Sequence, residues 1–364
     1  MGDYGFNTEI IQTDETAERK PVEDFLHRLS LSYDSDVDYT VVMKEGSRIV
    51  ATGSLAGGVI KCVGVEPEFQ GLALTNTIVS HLEMEAYRRN RERLFVFSRP
   101  RNRAAFEDLG FQSVGEYPEE IVLLEKPGGG LLEWAMSEGA DQERSATEAA
   151  NVALVMNCNP FTKGHRYLVE QASRRAEELY GSTVDESRGV VHLFVVSEDR
   201  SLFPAAHRLR MVREGTADLS NVRVHPGGPY IISSATFPTY FIRNPDDIVR
   251  THAGLDLHIF ASRIAPLFGI KRRMVGHEPY CPVTAAYNRA MKDILPTYGI
   301  ELEEIHRLEQ GGRAVSASTV RDLIRQERMD EVKKIVPETT WRYLGSAEAR
   351  PVIERLKKEK DRRH

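Results

Sequence analysis

Short blocks rich in valine, isoleucine and other apolar residues run through the first third of the chain, which predicts strands. Longer blocks between them carry apolar residues three and four apart, which predicts helices. We expect strands at 39–44, 48–55, 59–65 and 94–97, and helices at 21–29, 75–90 and 102–109. Glu45, Gly46 and Ser47 lie between the first two strands and form the predicted turn of a hairpin.

From residue 151 onward the predicted strands and helices alternate, which is typical of a parallel sheet covered by helices. The runs at 152–156 and 190–196 are continuously apolar, as a strand buried on both faces requires. Further strands are expected at 222–225, 257–260, 273–275 and 300–305, and further helices at 206–218, 284–295 and 318–326. The predicted fold class is therefore α/β, with a Rossmann-like, doubly wound parallel sheet in the second part.

A glycine-rich break and a polar, alanine-rich stretch divide the chain. Pro127 and the three glycines after it interrupt any regular element, and 137–150 has no continuous apolar face. We expect four parts: a first domain, a linker, a second domain and a charged, solvent-exposed tail. Their predicted bounds are 1–126, 127–149, 150–345 and 346–364.

The composition of the chain argues against several classes of function. The chain of 364 residues has a net charge of −6, which disfavours nucleic acid as a partner. Its three cysteines, Cys62, Cys158 and Cys281, lack the spacing of metal ligands and suit a reducing compartment. No apolar run approaches the roughly 20 residues that span a bilayer, and the first residues lack the features of a signal peptide. We therefore expect a cytoplasmic protein whose own side chains hold no metal ion and which associates with neither nucleic acid nor a membrane.

Residues 151–172 combine a buried strand, a turn and the start of a helix. Free N–H groups and the helix dipole make such a helix start attractive to anions. His165 can donate a hydrogen bond to phosphate oxygens, Thr162 can place a hydroxyl beside them, and Gly164 lets a backbone approach closely. The predicted phosphate-binding turn consists of Asn157, Asn159, Pro160, Phe161 and Gly164.

A second stretch near the C-terminus completes the predicted site. Ser316 and Ser318 precede a helix and can cap it or donate to phosphate oxygens, with Thr319 beside them. Arg321, one turn further on, can bind the β- and γ-phosphates and stabilise the departing pyrophosphate. We predict that His165, Thr162 and Arg321 are catalytic.

These stretches resemble the two signatures of the HIGH nucleotidyltransferase superfamily. Thr162 to His165 fit (His/Thr)-x-Gly-His, and 315–321 resembles Ile-Ser-x-Thr/Ser-x-x-Arg. Three further stretches, 201–219, 225–241 and 275–288, extend the likeness over nearly the whole chain to the citrate lyase ligase family. That resemblance implies that ATP and acetate form an acetyl-adenylate and pyrophosphate, with Mg²⁺ expected.

The same resemblance implies a protein partner. The acetyl group would pass to the thiol of the phosphoribosyl-dephospho-CoA prosthetic group on the acyl carrier (gamma) subunit of citrate lyase, which activates that enzyme. The chemistry agrees with this implication, because a carboxylate is already an anion. Its attack on phosphorus needs alignment and charge neutralisation rather than a general base.

Five further side chains are weaker candidates for substrate contacts. Arg208 is expected to hold acetate or a phosphate, or else to be a surface arginine. Ser233, Thr236 and Tyr240 are expected to line an acyl or pantetheine pocket, or else to serve the turn around Pro238. Glu278 is expected to contact ribose or a hydrated metal, or else to cap the next helix.

The front part of the chain resembles GNAT-type acetyltransferases. The resemblance lies in the strand, loop and helix at 63–82 and in the turn that ends at Phe111. Ala73 and Thr75 depart from that family's phosphate loop, because they add side chains where the backbone should touch phosphate. We therefore expect a scaffold or partner-docking domain rather than one that transfers acetyl from acetyl-CoA.

Three other functions remain open at this point. A phosphopantetheine adenylyltransferase-type enzyme would use the same ATP site with a phosphate ester as acceptor. An acetyl-CoA-dependent acetyltransferase would use the front domain. A nucleotide-sensing regulator would have lost catalysis, but the intact His165, Ser316 and Arg321 argue against that alternative.

Overall fold

The computed structural model describes residues 5–140, 151–180, 189–197, 201–231, 245–277 and 282–358. Contacts along the chain divide it into two compact units. The first unit contains Met1–Glu133 and Phe237–His258, and the second contains Trp134–Thr236 and Ile259–His364. The predicted domain bounds stay predictions, but the division differs from a simple succession, because 237–258 belongs with the first unit.

The first unit has a mixed seven-stranded sheet in the order β1-β2-β3-β4-β5-β7-β6. Its strands are β1 (Phe6–Ile11), β2 (Tyr39–Glu45), β3 (Arg48–Ala56), β4 (Val59–Val65), β5 (Leu94–Ser98), β6 (Gln112–Tyr117) and β7 (Ile121–Lys126). All pairs are antiparallel except β4 with β5, which are parallel and pair only at Val59 with Phe95 and Ile60 with Val96. Strands β4 and β5 are therefore hydrogen-bonded at the start of β4 and are unpaired towards its end.

Three helices of the first unit pack on this sheet or connect its strands: α1 (Thr16–Arg28), α2 (Leu74–Arg88) and α3 (Arg103–Glu107). Helix α2 lies close against β3, because a Cβ added to Gly53 would come within 2.4 Å of Ile78. Ile78, Val79 and Leu82 of α2 are buried in the core with residues of the central strands.

The second unit contains a five-stranded, wholly parallel sheet in the order β10-β9-β8-β11-β12. Its strands are β8 (Asn151–Met156), β9 (Val191–Val195), β10 (Val222–Pro226), β11 (Ile270–Gly276) and β12 (Glu301–Ile305). The chain starts in the middle, proceeds outward through β9 and β10, and returns to the other side of β8 with β11. This reversal creates a crevice at the carboxyl ends of β8 and β11, where ligands bind in such folds. The predicted α/β class is confirmed.

The helices of the second unit that follow the linker are α5 (Lys163–Tyr180), α6 (Ala205–Gly215), α9 (Pro282–Ile294), α10 (Ala317–Arg325), α11 (Met329–Ile335), α12 (Glu338–Leu344) and α13 (Arg350–Lys358). Between α6 and α9 lie α7 (Pro245–Ile259), which spans the division between the units, and the short α8 (Ala265–Leu267). A two-stranded ribbon, β13 (Glu309–Gln310) with β14 (Arg313–Ala314), precedes α10.

The C-terminal helix differs from the predicted exposed tail. Val352 and Leu356 of α13 are 6% and 0% exposed and belong to the main core of the second unit. They lie four residues apart, so they share one helix face while the surrounding Lys and Arg face outward. The dense charge of this segment obscures that pair in the sequence.

The segment predicted as a linker also contains regular structure. Helix α4 (Gly130–Ser137) occupies part of 127–149, and its Leu131 and Ala135 are buried. Trp134 of the same helix contacts Phe194, Tyr230 and Phe268, with ring centroids 5.7–6.1 Å apart. The glycines and proline before the helix end the preceding strand rather than starting a long irregular stretch.

The predicted strand at 257–260 is wrong. Helix α7 ends at Ile259, and a π-helical segment, Phe260–Ile264, continues from it. Residues 251–257 are all buried although Thr251, His252 and Asp256 among them are polar, so burial follows no polar–apolar pattern and no helical period is visible. Periodicity alone cannot distinguish a fully buried helix from a strand in such a run.

Candidate active site

The two sequence motifs meet at the carboxyl edge of the parallel sheet. Helix α5 begins at Lys163, just after the turn that follows β8, and α10 begins at Ala317. A Cβ added to Gly164 would lie 2.3 Å from the carbonyl oxygen of Val315, so the backbones of the two motifs touch. The absence of a side chain at Gly164 is therefore needed for contact with the second motif, whereas the sequence suggested an approach to phosphate.

His165 is held as a neutral imidazole with a defined tautomer. Its Nδ1 accepts a hydrogen bond from the backbone N–H of Thr162 at 3.1 Å, so its proton is on Nε2. The ring keeps some accessible surface, yet burial by the surrounding protein lowers its pKa to about 4, with Arg307 and Arg321 acting in the same direction. Phe161 stacks on the ring at a centroid distance of 6.1 Å. The neutral ring is thus suited to donate one hydrogen bond from Nε2.

Thr162 positions His165. Its side chain is fully buried, and its hydroxyl oxygen accepts the backbone N–H of His165 at 3.2 Å, which caps the start of α5. The same hydroxyl lies 3.1 Å from Nδ1 of His165. Since Nδ1 already accepts an N–H, the hydroxyl donates to it. The structure therefore directs this hydroxyl to the histidine.

The second motif caps α10 with its own hydroxyls. Ser316 Oγ accepts the backbone N–H of Thr319 at 3.2 Å and lies 2.8 Å from the hydroxyl of the exposed Ser318. Arg321 Nη1 donates to the carbonyl oxygen of Asn159 at 2.6 Å, and burial lowers the pKa of Arg321. The arginine of the second motif is therefore fastened to the turn of the first.

The asparagines of the turn hold the segment that follows β9. Asn159 Oδ1 accepts the backbone N–H of Phe203 at 3.0 Å, and Asn157 Oδ1 accepts the hydroxyl of Ser201 at 3.2 Å. Both amide side chains thereby connect the carboxyl ends of β8 and β9. Pro160 and Phe161 are buried at the same turn.

Arg208 is fully buried, which excludes the surface arginine that the sequence left open. Its Nη1 donates to the carbonyl oxygens of Asn157 and Val196 at 2.8 and 2.6 Å, and its Nε donates to that of Phe203 at 2.9 Å. The guanidinium therefore joins the turn after β8 to the segment that follows β9. Its proposed contact with acetate or phosphate stays a prediction.

Arg307 is a cation at this edge that the sequence analysis does not single out. It follows the end of β12, its Nε donates to the carbonyl oxygen of His277 at 2.7 Å, and its charge contributes to the low pKa of His165. Its position just beyond the carboxyl end of a predicted strand is the signal that could have identified it.

The remaining candidates have different outcomes. Ser233, Thr236, Tyr240 and Glu278 lie outside the described residues. Cys158 is 1% exposed, and burial raises the pKa of its thiol to about 12, so it is no ready nucleophile. Lys163 Nζ donates to the carbonyl oxygen of Lys334 at 2.7 Å, at the end of α11.

The described residues contain neither a metal-binding cluster nor a membrane-spanning helix. No group of three or more His, Cys, Asp or Glu side chains among them could hold a metal ion. No helix in the same residues has the length and apolarity to cross a membrane. A cavity of about 430 Å³ near Val222 and Arg223 lies at the amino end of β10, away from the motif residues.

Two solved structures each resemble about a third of the chain. Escherichia coli ElaA matches with a TM-score of 0.31 and 12% identity, covering 33% of this chain and 98% of its own. An acyl-CoA N-acyltransferase from Pseudomonas aeruginosa matches with a TM-score of 0.29 and 14% identity, covering 33% of this chain and 97% of its own.

Sequence relatives are far closer. The [citrate [pro-3S]-lyase] ligase of Klebsiella pneumoniae is 36% identical over 90% of this chain and 92% of its own length. The protein of the same name from Escherichia coli K12 is 36% identical over 92% of each. A family model described as the citrate lyase ligase C-terminal domain matches residues 151–344, which include both motifs. With this identity over nine-tenths of its length, the chain belongs to the citrate lyase ligase family.

Proposed function

We propose that the chain is an ATP-dependent acid–thiol ligase that activates acetate as acetyl-adenylate and acetylates the prosthetic-group thiol of a citrate lyase acyl carrier subunit. The observation that carries the first step is the convergence of the N-terminus of α5, the Nε2–H of His165, Arg307 and Arg321 at the crevice between β8 and β11. These groups are all donors or cations, as a site for polyphosphate requires.

The bond changes in the first step are simple. A carboxylate oxygen of acetate attacks the α-phosphorus of ATP, the bond from that phosphorus to the bridging oxygen breaks, and pyrophosphate leaves. Negative charge grows on the oxygens around phosphorus, where His165 Nε2–H can donate and Arg321 can neutralise it. No proton needs to be removed from acetate, which agrees with a site of cations, hydroxyls and amides.

The second step transfers the acetyl group. The thiol sulfur attacks the carbonyl carbon of the acetyl-adenylate, the bond to the phosphate oxygen breaks, AMP leaves and the thiol proton passes to solvent. We expect the prosthetic group to be the phosphoribosyl-dephospho-CoA of the family. The described side chains assigned to this site are poor sole ligands for Mg²⁺, so we expect that ion to arrive on the phosphates of ATP and to neutralise their charge there.

The test is exchange of labelled pyrophosphate into ATP. We expect exchange in wild-type protein only when acetate is added, followed by AMP release when a carrier-protein thiol is supplied. Substitution His165→Ala should lower the exchange rate roughly 100-fold or more, as removal of one donor to a developing oxyanion does.

The controls separate the alternatives. His165→Gln retains an N–H donor and should recover part of the rate, and circular dichroism should show that both variants fold. Exchange that required a phosphate ester such as phosphopantetheine instead of acetate would contradict the proposal and favour an adenylyltransferase. Full exchange by His165→Ala would contradict the assignment of the site.

A further inference from the structure

Arg273 on β11 is a buried cation, and two of its guanidinium nitrogens have no hydrogen-bond partner among the described residues. Its residue is 3% exposed, and its Nε and Nη1 have no hydrogen-bond partner within the part of the chain that the structure describes. Buried charged groups are usually paired, because removal from water without a partner is costly. The adjacent Arg272 shows the usual arrangement, with ion pairs to Glu301 and Glu303.

Aromatic rings surround the guanidinium of Arg273. Its Cζ lies 4.5 Å from the ring centroid of Phe260 and 5.8 Å from that of Tyr287. Ring faces attract the cation, but they do not accept hydrogen bonds as carboxylate oxygens do. Phe260 begins the π-helical segment Phe260–Ile264, and such segments occur frequently at functional sites.

Arg273 lies near the crevice that holds the nucleotide motifs. In the pairing of β11 with β8 it stands opposite Ala153, and three residues further on both strands reach their carboxyl ends. That distance is about 10 Å along a strand. Asn288, the neighbour of Tyr287 on α9, donates to the carbonyl oxygen of Gly276 at 3.3 Å, so this part of α9 lies beside the end of β11.

We propose that Arg273 binds the carboxylate of the acetate substrate. This inference rests on the proposed function and identifies the residue that would hold the attacking group. A carboxylate offers planar oxygens to the unused N–H groups, and the aromatic rings offer an apolar wall to the methyl group. Helix α5, Arg307 and Arg321 would bind the phosphates of ATP. A separate cation, Arg273, therefore suits acetate, the second anionic substrate.

The experiment measures the KM values for acetate and for ATP in pyrophosphate exchange. Arg273→Met keeps the buried stem and removes the charge. It should raise the KM for acetate roughly 10- to 100-fold, the loss expected for a charge-assisted hydrogen bond, and leave the KM for ATP within twofold. Arg272→Met, on the same strand, is the matched control and should leave the KM for acetate unchanged.

Stability separates binding from a structural role. Arg273→Met should be about as resistant to urea as wild type, because the lost attraction to the Phe260 and Tyr287 rings is offset by removal of a buried charge that has no hydrogen bond within the described residues. If that variant does not fold, Arg273→Lys carries the test, with a rise of at least fivefold expected in the KM for acetate and none in that for ATP.

Three results would overturn the assignment. An unchanged KM for acetate in a folded Arg273 variant would assign the arginine a structural role. A rise in the KM for ATP alone would assign it to phosphate. If wild-type protein shows no acetate-dependent exchange, the proposed function itself fails, whereas failure of the variants alone removes only the role of Arg273.

Discussion

At the scale of single residues, the sequence identified which side chains meet but not how each acts. His165 and Thr162 lie in one motif, but the sequence alone cannot show that the threonine hydroxyl is hydrogen-bonded to the histidine. The tautomer of His165 depends on one backbone N–H, and its low pKa depends on burial and two arginines from distant parts of the chain. The tautomer and the pKa depend on tertiary contacts, so the spacing of residues within a motif cannot predict them.

The role of Thr162 gives a prediction at this scale. Thr162→Val keeps the buried shape and removes the hydroxyl, so α5 should lose its cap at a cost of about 1 kcal/mol and His165 should lose one of the bonds that orient it. We expect a fall in kcat for exchange, measured with saturating ATP and acetate. Thr162→Ser restores the hydroxyl and should recover most of the rate. Equal rates for the valine and serine variants would contradict a positioning role.

At the scale of elements, prediction succeeded where a short apolar run is bounded by a turn or where apolar residues recur at helical spacing. The strand after residue 151 and the helix after Thr162 were expected, and β8 and α5 confirm them. Prediction failed for the end of α7, whose burial on all sides removes the helical period. For α4 and α13 the decisive signal was one apolar pair four residues apart, which a glycine-rich or highly charged context obscured.

The contact between α5 and the start of α10 gives a prediction at this scale. Gly164→Ala would place a methyl group 2.3 Å from the carbonyl oxygen of Val315, and a backbone atom cannot move aside as a flexible side chain can. The two helix starts must separate, so we expect a loss of about 1–3 kcal/mol in unfolding free energy. The exchange rate should fall by more than the loss of folded protein alone explains, because Ser316 and Arg321 move with α10.

Urea unfolding and the exchange assay measure the two effects. Gly345→Ala is the matched control, since its Cβ would meet nothing closer than 3.6 Å and its φ of −82° suits any residue. That control should change neither stability nor activity measurably. A Gly164→Ala protein with wild-type exchange would show that the two motifs need not touch.

At the scale of the whole molecule, the alternation of strands and helices was enough to predict the parallel sheet. The strand order was not predictable from it, because order depends on which side of β8 the chain returns to. This strand order places the two motifs in one crevice. It also places two buried histidines side by side on adjacent strands. His192 and His225 lie on adjacent strands, 8% and 5% exposed, with Nδ1 of the first 3.0 Å from Nε2 of the second.

These histidines belong to a directed chain of hydrogen bonds. Asn151 Nδ2 donates to His192 Nε2 at 3.3 Å, so the proton of His192 is on Nδ1 and is donated to His225 Nε2. The proton of His225 is therefore on Nδ1, 3.4 Å from Glu138 Oε2. Burial, aided by nearby positive charge, lowers the pKa of His192 to about 3 and that of His225 to about 4. In the first unit, burial lowers the pKa of His252 to about 3.

The pH dependence of stability follows from these three histidines and from His165, whose pKa in the folded chain is about 4. Their pKa values in the folded chain lie below the value of about 6.5 for an unfolded histidine. The unfolded chain therefore binds more protons as the pH falls below that value, and stability present at neutral pH is lost. At about pH 5.5 we expect a loss of roughly 1 kcal/mol for each histidine, measured as the shift of urea midpoints relative to about pH 7.5.

Because His192 and His225 lie in the second unit and His252 in the first, the loss should not be shared equally. Replacing the pair with His192→Leu and His225→Leu should weaken the pH dependence of the second unit to the part that His165 contributes, and leave that of the first unit unchanged. His306→Gln, which removes an exposed histidine, is the matched control and should alter neither. Pulsed hydrogen exchange reports each unit separately. Equal pH dependence in the double variant and in wild type would show that this buried pair does not set the acid sensitivity of the fold.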